Sequence, residues 1–269
     1  TTNIEHHAIL NSCEYLEKLG YDVTYPFLLH LYKDYDAELL SADEFIEIIR
    51  YTESYLLRRI ICNIPTPSLN KTFAKMYNEL DTENYSESYQ ARLVLKENYQ
   101  RMPKNREFGR NFRERDIYNL KGKNKEYIFD KFENWNSKEK TPVEAYTIEH
   151  IMPQNPILSQ EWRDCLGPNW EEIQKTYLHT IGNLTLTGYN PELSDRPFQE
   201  KRDMEGGFIY MTCKHGMKQK SKKEQTILLK KLIKYGNIRK YLKKSLTDML
   251  LKKRLVLKLM NPILLQLKN

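Results

Sequence analysis

Apolar residues recur at helical spacing through the first eighty residues of the chain. One predicted helix ends at Gly20, because glycine is favoured just past a helix C-terminus. A second is predicted to begin at Pro26, since proline suits the first helical turn. A third follows Ser41, which has Glu44 three residues later in the spacing of a capping box. With a further helix over about Leu69 to Glu79, this part of the chain is predicted to be an all-α bundle.

The pattern changes after residue 145, where short β-branched and aromatic runs replace the helical spacing. Strands are predicted over 146–149 and 184–187, with an irregular stretch containing prolines and a glycine between them. A helix is predicted to begin near Asp195, with Pro197 in its first turn. Strand, long loop, strand and helix give a ββα order. The predicted fold class is therefore mainly α with a small ββα unit, an α+β protein.

The predicted domain organisation has three parts. Residues 1–80 form a helical domain, residues 81–207 form the domain that contains the ββα unit, and residues 208–269 form a lysine-rich tail. A helix around 126–135 is predicted within the second part from its apolar spacing.

Composition indicates a soluble, polar chain of 269 residues with a mean hydropathy of −0.72. It contains no apolar run long enough to span a membrane and no signal-peptide pattern at its start. None of the four cysteines has the C-x-x-C spacing of a thiolate zinc site. These features predict a cytoplasmic protein. The first residue, Thr1, is not methionine, which suggests a fragment or a processed product.

The net charge of +7 is unevenly distributed along the chain. From Gly207 onward there are 17 Lys and Arg against 2 Asp and Glu, whereas the preceding residues have a net charge of −8. Any contact with DNA from the body of the protein must therefore come from a local patch.

Two groups of arginines are candidates for such a patch. Arg58 and Arg59 could touch phosphates, although a solvated or ion-paired helix face is the commoner explanation. A second cluster surrounds two phenylalanines, and it suits either a nucleic-acid backbone or an ordinary surface helix. Its members are Arg106, Arg110, Arg113 and Arg115.

Five polar residues of the ββα segment suit phosphodiester hydrolysis. His150 has the near-neutral pKa that a base for activating water needs. Glu149 and the amide of Asn190 offer oxygen ligands to a hard divalent cation. Asn183 is placed to orient the histidine by bonding nearby backbone, and Lys201 can bind a phosphate as a point charge.

At these residues the sequence resembles the HNH (His-Me finger, ββα-metal) nucleases. In particular, it resembles the C-terminal domain of the GmrSD-type restriction endonucleases, which act on modified DNA. The residues that carry the resemblance are "IEHIMPQ" and "HTIGNLTLTGYNPELSDRPFQEKR". Weaker similarity in the preceding helices extends it to roughly residues 20–207.

The resemblance implies a role for each residue of the motif. His150 matches the general base, and Asn183 the asparagine that orients it. Asn190 matches a metal-ligand position, and Glu149 lies where relatives often have another ligand for Mg²⁺ or Mn²⁺. Lys201 matches a phosphate-contacting lysine. Arg196 and Arg202 are further DNA-binding candidates, and His179 is expected to have a structural role.

The tail departs from the family pattern. After "EGGF", the alternative reading frame permits Trp at the His215/Gly216 and Tyr235/Gly236 junctions and requires Glu at Met217/Lys218. We therefore expect the tail to be a frameshifted translation, so that its lysines were not selected for DNA binding. Sequencing the gene across codons 207–213 should show an open, family-like alternative frame. Early stop codons in that frame would contradict the hypothesis.

The predicted function is that of a metal-dependent DNA endonuclease, an HNH-type hydrolase that defends against foreign or modified DNA. The resemblance also implies a nucleotide-dependent sensor domain on the N-terminal side, whose D-G-Q-Q-R type motif this chain lacks. The alternatives are an inactive or truncated remnant that acts at most as a DNA-binding module, and an RNA nuclease.

Overall fold

The computed structural model describes residues 2–134, 140–188 and 190–204. These residues divide into two compact units. The first comprises residues 2–112 and 121–127, and the second comprises residues 113–120 together with the described residues from 128 onward. Residues 81–112 thus group with the N-terminal helices. The predicted lysine-rich tail, residues 208–269, lies outside the described residues.

The described chain is mainly helical, with a small two-stranded antiparallel sheet, as expected for an α+β protein. Five helices belong to the first unit. Each of two further helices has its first residues in the first unit and its last residues in the second. They are α1 (Thr2–Lys18), α2 (Tyr25–Asp36), α3 (Ala42–Ile61), α4 (Ser68–Met76), α5 (Tyr85–Leu95), α6 (Asn105–Glu114) and α7 (Asn124–Glu133).

Local sequence signals explain where the first helices begin and end. Gly20 follows α1 with a positive φ of 69°, which glycine adopts without steric strain. Pro26 lies in the first turn of α2. Ser41 caps α3: its hydroxyl oxygen accepts a hydrogen bond from Glu44 N at 3.3 Å, and the hydroxyl donates to Glu44 Oε2 at 2.8 Å. All three predictions are confirmed.

Helix α3 is the centre of the first unit. Every residue from 51 to 61 is buried, because α1, α2 and α5 all pack against α3. Thr52 illustrates how a polar side chain is accommodated in this buried helix. Thr52 Oγ1 donates to Ile48 O at 2.8 Å and shares a hydrogen bond of 2.7 Å with the Tyr89 hydroxyl. A buried helix of this kind lacks the solvated face that amphipathic surface helices have.

Arg58 and Arg59 are buried in this helix, with 3% and 2% of their surfaces exposed. Arg58 Nη1 donates to Pro103 O at 2.9 Å, whereas Arg59 donates to Tyr99 O at 2.6 Å and to Pro65 O at 2.7 Å. Burial lowers the pKa of Arg58 to about 10, so the guanidinium stays charged at neutral pH. Neither the phosphate contact nor the solvated face considered for this pair is correct. The arginines fasten the 97–105 segment and the turn at Pro65 to α3.

The second unit contains the sheet, formed by β1 (Thr147–His150) and β2 (Leu184–Thr187). The strands are antiparallel, and Thr147 pairs with Thr187 at one end while His150 pairs with Leu184 at the other. The observed β1 is one residue later than the predicted strand, and the observed β2 agrees with its prediction.

The connection between the strands, predicted to be irregular, contains two helices. They are α8 (Gln160–Leu166) and α9 (Trp170–Tyr177). Ser159 caps α8 by accepting a hydrogen bond from Trp162 N, and Gly167 ends it at a positive φ of 85°. Met152, Leu158 and Trp162 form a small core inside this connection. The two helices are therefore stabilised by apolar packing within the connection itself. Each helix is too short for its hydrophobic periodicity to predict it from the sequence.

After β2 the chain forms a one-turn helix, α10 (Asn190–Leu193), and then α11 (Phe198–Asp203). Pro197 precedes α11 in an extended conformation with ψ of 148°, so the helix begins there and not near Asp195. Lys201 is therefore the fourth residue of α11. Among the described residues, no helix has the length and apolar character needed to cross a bilayer.

Candidate active site

The β1 strand ends in the acid and the histidine on which the sequence reading concentrated. Glu149 pairs with Thr185, and His150 pairs with Leu184. Successive side chains of a strand point to opposite faces of the sheet. The contacts of the two residues agree with this alternation, because Glu149 contacts Lys201 whereas His150 contacts a second histidine.

Lys201 binds the end of β1 from α11. Its side chain is completely buried, and Nζ donates to Glu149 Oε1 at 2.7 Å, to His150 O at 3.1 Å and to Ile151 O at 3.4 Å. The sequence reading expected this ammonium to contact phosphate. The structure instead surrounds it with three oxygen atoms of the protein. Burial raises the pKa of the Glu149 carboxyl, and the hydrogen bond from Lys201 partly offsets that effect.

His150 belongs to a cluster of three rings. Its Nε2 atom lies 3.1 Å from Nδ1 of His179. Tyr118 meets the His150 ring edge-on at 4.5 Å between centroids and stacks on His179 at 5.4 Å with only 12° between the planes. The sequence reading gave His179 a structural role and did not consider Tyr118. The pairing of Asp116 with Thr180, together with backbone hydrogen bonds from Ile117 N and Tyr118 N to His179 O, brings Tyr118 here, and no sequence spacing indicates these contacts.

The environment of His150 favours its neutral form. The residue is 3% exposed, and burial together with the electrostatic effects of His179 and Lys201 lowers its pKa to about 4, with Asp116 acting in the opposite direction. A neutral imidazole at pH 7 has a lone pair with which to accept a proton.

This pKa gives a measurable prediction for metal-free protein. Between the ordinary pKa of 6.5 and about 4, the unfolded chain binds a proton at His150 that the folded chain does not. The unfolding free energy should therefore fall as the pH is lowered through this range, by on the order of 3 kcal/mol from His150. An NMR titration of the ring should show a midpoint near pH 4, and a midpoint above pH 6 would contradict the prediction.

Asn183 fixes backbone on both sides of the ring cluster. Its Oδ1 accepts a hydrogen bond from Met152 N at 2.7 Å, while Nδ2 donates to Met152 O at 3.1 Å and to Leu178 O at 2.8 Å. Met152 lies two residues after His150, and Leu178 directly precedes His179. Asn183 thus acts on the imidazoles through the backbone segments that carry them.

Asn183→Ala should therefore destabilise the fold measurably. The change leaves the two buried backbone groups of Met152 and the half-buried carbonyl of Leu178 without this partner, and we expect a loss of roughly 2–4 kcal/mol in urea unfolding. Asn155→Ala is the matched control, because Asn155 is exposed and its amide bonds the exposed Asp195 at 3.0 Å. That control should lose less than about 1 kcal/mol. Equal losses in the two variants would show that the Asn183 bonds contribute little.

Asn190 lies at the start of α10, where its Nδ2 donates to Ile148 O at 3.3 Å. A shallow depression adjoins it, lined by Ala145, Thr147, Thr187, Gly188, Asn190, Pro191 and Ser194. His150 is not among the residues that line the depression. Arg196 is exposed and bonds Glu192 O and Glu200, whereas the side chain of Arg202 lies outside the described residues.

Two oxygen donors on or beside β1 are of the chemical type that a hard cation prefers. Asn190 and Glu149 supply an amide and a carboxylate, although Lys201 already occupies one carboxylate oxygen. Within residues 2–134, 140–188 and 190–204, no three His, Cys, Asp or Glu side chains come together as a ligand group. Mg²⁺ commonly uses one or two protein oxygens together with waters and substrate phosphates, so this donor set suits Mg²⁺ bound with its substrate.

Comparison with known families identifies the family that contains this hairpin. Residues 102–244, just over half of the chain, match the model for the C-terminal domain of GmrSD restriction endonucleases. The chain belongs to this family. Membership of this family suggests a nuclease role of the restriction-endonuclease kind.

The family match includes every residue of the β1–β2 hairpin and of α8 to α11. It begins at residue 102, within the predicted second domain, and continues beyond residue 204, where the structure is not described. The match also includes residues 208–244 of the predicted tail, which was expected to depart from the family pattern. The boundaries at residues 80 and 207 remain predictions. Comparison of the GmrSD-type chain with curated proteins and with solved structures gave no significant match.

Proposed function

We propose that this chain is a metal-dependent DNA endonuclease of the HNH (ββα-metal) type that acts in defence against foreign or modified DNA. The main support is the end of β1, where a buried neutral histidine adjoins a strand fastened to α11. Strand, strand and helix occur in the order expected for a ββα unit. Membership of a restriction-endonuclease family supports the substrate class.

In the proposed reaction, His150 accepts a proton from a water molecule. The resulting hydroxide attacks phosphorus, the bond from phosphorus to the leaving oxygen breaks, and solvent protonates that oxygen. The pKa of His150, about 4, keeps the ring unprotonated at neutral pH, but it lies below the near-neutral value predicted from the sequence and makes the imidazole a weaker base. Asn183 has a supporting role, because it holds the backbone that carries His150 without touching the imidazole.

Asn190 and Glu149 are the proposed ligands of Mg²⁺ or Mn²⁺. The cation would neutralise negative charge on the phosphate and the leaving oxygen. For Glu149, this role requires the carboxylate to serve the metal and Lys201 together. Lys201 positions Glu149 and the His150 carbonyl in this proposal, and it does not meet phosphate from the surface.

The proposed DNA contacts are electrostatic. Arg196 offers an exposed guanidinium on the segment before α11, and Arg202 follows Lys201 in the sequence. Arg106, Arg110 and Arg113 are also exposed and can contribute nonspecific attraction to phosphates. The nucleotide-dependent sensor domain that the family resemblance implies would select the DNA to be cut.

The test is a nicking assay on the full chain. Supercoiled plasmid, the same plasmid with modified cytosines and a structured RNA are incubated with Mg²⁺, with Mn²⁺ and with EDTA. We expect metal-dependent nicking of DNA and none of RNA. Binding of DNA without cleavage under any metal condition would favour a DNA-binding remnant. Faster cleavage of RNA would replace the proposal with an RNA nuclease.

A further inference from the structure

His179 forms a hydrogen bond with one of the two ring nitrogens of His150, the proposed base. Its Nδ1 atom lies 3.1 Å from His150 Nε2, so one of the rings donates a hydrogen to the other. Because a neutral imidazole carries a hydrogen on only one nitrogen, this contact depends on the tautomer of each ring. Only the Nδ1 atom of His150 then remains to accept a proton from water.

His179 is itself fixed by the backbone and by a stacked ring. Its carbonyl oxygen accepts hydrogen bonds from Ile117 N at 2.9 Å and from Tyr118 N at 3.3 Å. Asp116 pairs with Thr180 in an isolated β-bridge beside it. The Tyr118 ring stacks on His179 with 12° between the planes, and also contacts the edge of His150. The imidazole of His179 therefore has a defined orientation toward its partner.

Asn183 ties the same two segments together independently. It bonds both backbone groups of Met152 and the carbonyl of Leu178, which are close in sequence to His150 and His179 respectively. The distance between the two imidazoles is thus maintained by backbone contacts as well as by their own hydrogen bond.

We propose that His179 is a positioning residue that selects the tautomer of His150. It accepts a hydrogen bond from His150 Nε2–H and leaves the lone pair on His150 Nδ1 as the base. With the opposite tautomer, Nδ1 would carry the hydrogen and Nε2 would be occupied by His179, so neither nitrogen could take a proton from water. The catalytic consequence rests on the proposed nuclease function, whereas the tautomer can be measured without it.

Two substitutions of similar size separate positioning from packing. His179→Asn keeps an acceptor oxygen near the position of Nδ1, whereas His179→Leu fills the space without an acceptor. In ¹⁵N-labelled full-length, metal-free protein, ring chemical shifts should show His150 as the Nε2–H tautomer in the wild type and in His179→Asn. His179→Leu should give a mixture of tautomers.

The same variants are then compared in the plasmid-nicking assay. His179→Leu should lower the rate at saturating DNA by roughly 10–100-fold with little change in the half-saturating DNA concentration, as losses of orienting groups do. His179→Asn should restore most of that rate. If His179 had a purely structural role, the acceptor oxygen of His179→Asn would not be expected to restore the nicking rate.

The outcomes distinguish this inference from the nuclease proposal. A wild-type His150 in the Nδ1–H tautomer overturns the inference, as does an unchanged tautomer in a folded His179→Leu. If His179→Leu does not fold, the wild-type tautomer alone decides. An Nε2–H tautomer in a chain that cuts no nucleic acid supports the positioning and rejects the nuclease function.

Discussion

Replacing His150 by alanine is expected to lower the plasmid-nicking rate by roughly 10²–10⁴-fold, the contribution that a positioned general base makes. The physical reason is specific to this ring. His150 is held neutral by its buried environment, and one of its nitrogens is occupied by His179. A water molecule in the site would therefore lose the group that takes its proton. The measurement is the initial rate of conversion of supercoiled to open-circular plasmid with Mg²⁺.

The control for this substitution is His7→Ala, which removes an exposed histidine from α1. It should leave the nicking rate unchanged. Because His150 is buried, His150→Gln is measured alongside the alanine variant, and far-UV circular dichroism verifies that both are folded. A folded variant of either kind that nicks at the wild-type rate would exclude His150 as the base.

Replacing Lys201 by methionine should destabilise the fold by roughly 3–5 kcal/mol, because it leaves the buried Glu149 carboxylate without its partner. The expected loss is large because Lys201 is completely buried and also donates to two carbonyl oxygens of the chain after β1. Urea unfolding followed by circular dichroism measures the difference. Adding Glu149→Gln to Lys201→Met should recover part of the loss, since the uncompensated charge is then gone.

Glu200→Gln on the same helix is the matched control. Glu200 forms an exposed ion pair with Arg196 at 3.4 Å, and exposed pairs contribute about 0–1 kcal/mol. A loss of less than 1 kcal/mol for Lys201→Met would contradict the buried environment of Lys201. If that variant were stable but bound DNA more weakly, with a shallower salt dependence, the phosphate contact expected from the sequence would be supported instead.

Several elements of the fold could be predicted from short-range signals. Gly20, Pro26 and the Ser41–Glu44 capping pair mark helix ends through interactions within a few residues, and each is observed. The β2 strand was likewise predicted at its observed position. Helices α8 and α9 were not predicted, because their stability comes from the small core around Met152, Leu158 and Trp162.

Charged residues were the least predictable part of the sequence. Arg58, Arg59 and Lys201 were all interpreted as residues that meet solvent or phosphate, yet all three are buried and hydrogen-bonded to protein oxygens. Burial of a charge depends on acceptors supplied by distant segments. Arg58, for example, bonds Pro103 O, which is 45 residues away in the sequence.

The sequence alone determined the mainly helical class, the strand that ends in Glu149 and His150, and the family resemblance, because each depends on residue types at short, fixed spacings. Only the tertiary structure decided which groups surround His150. The pairing of Asp116 with Thr180 brings Tyr118 to the His179 segment, Asn183 joins that segment to the chain after His150, and Lys201 reaches Glu149 across 52 residues of sequence. Such contacts arise from the packing of separate segments, and no local periodicity encodes them.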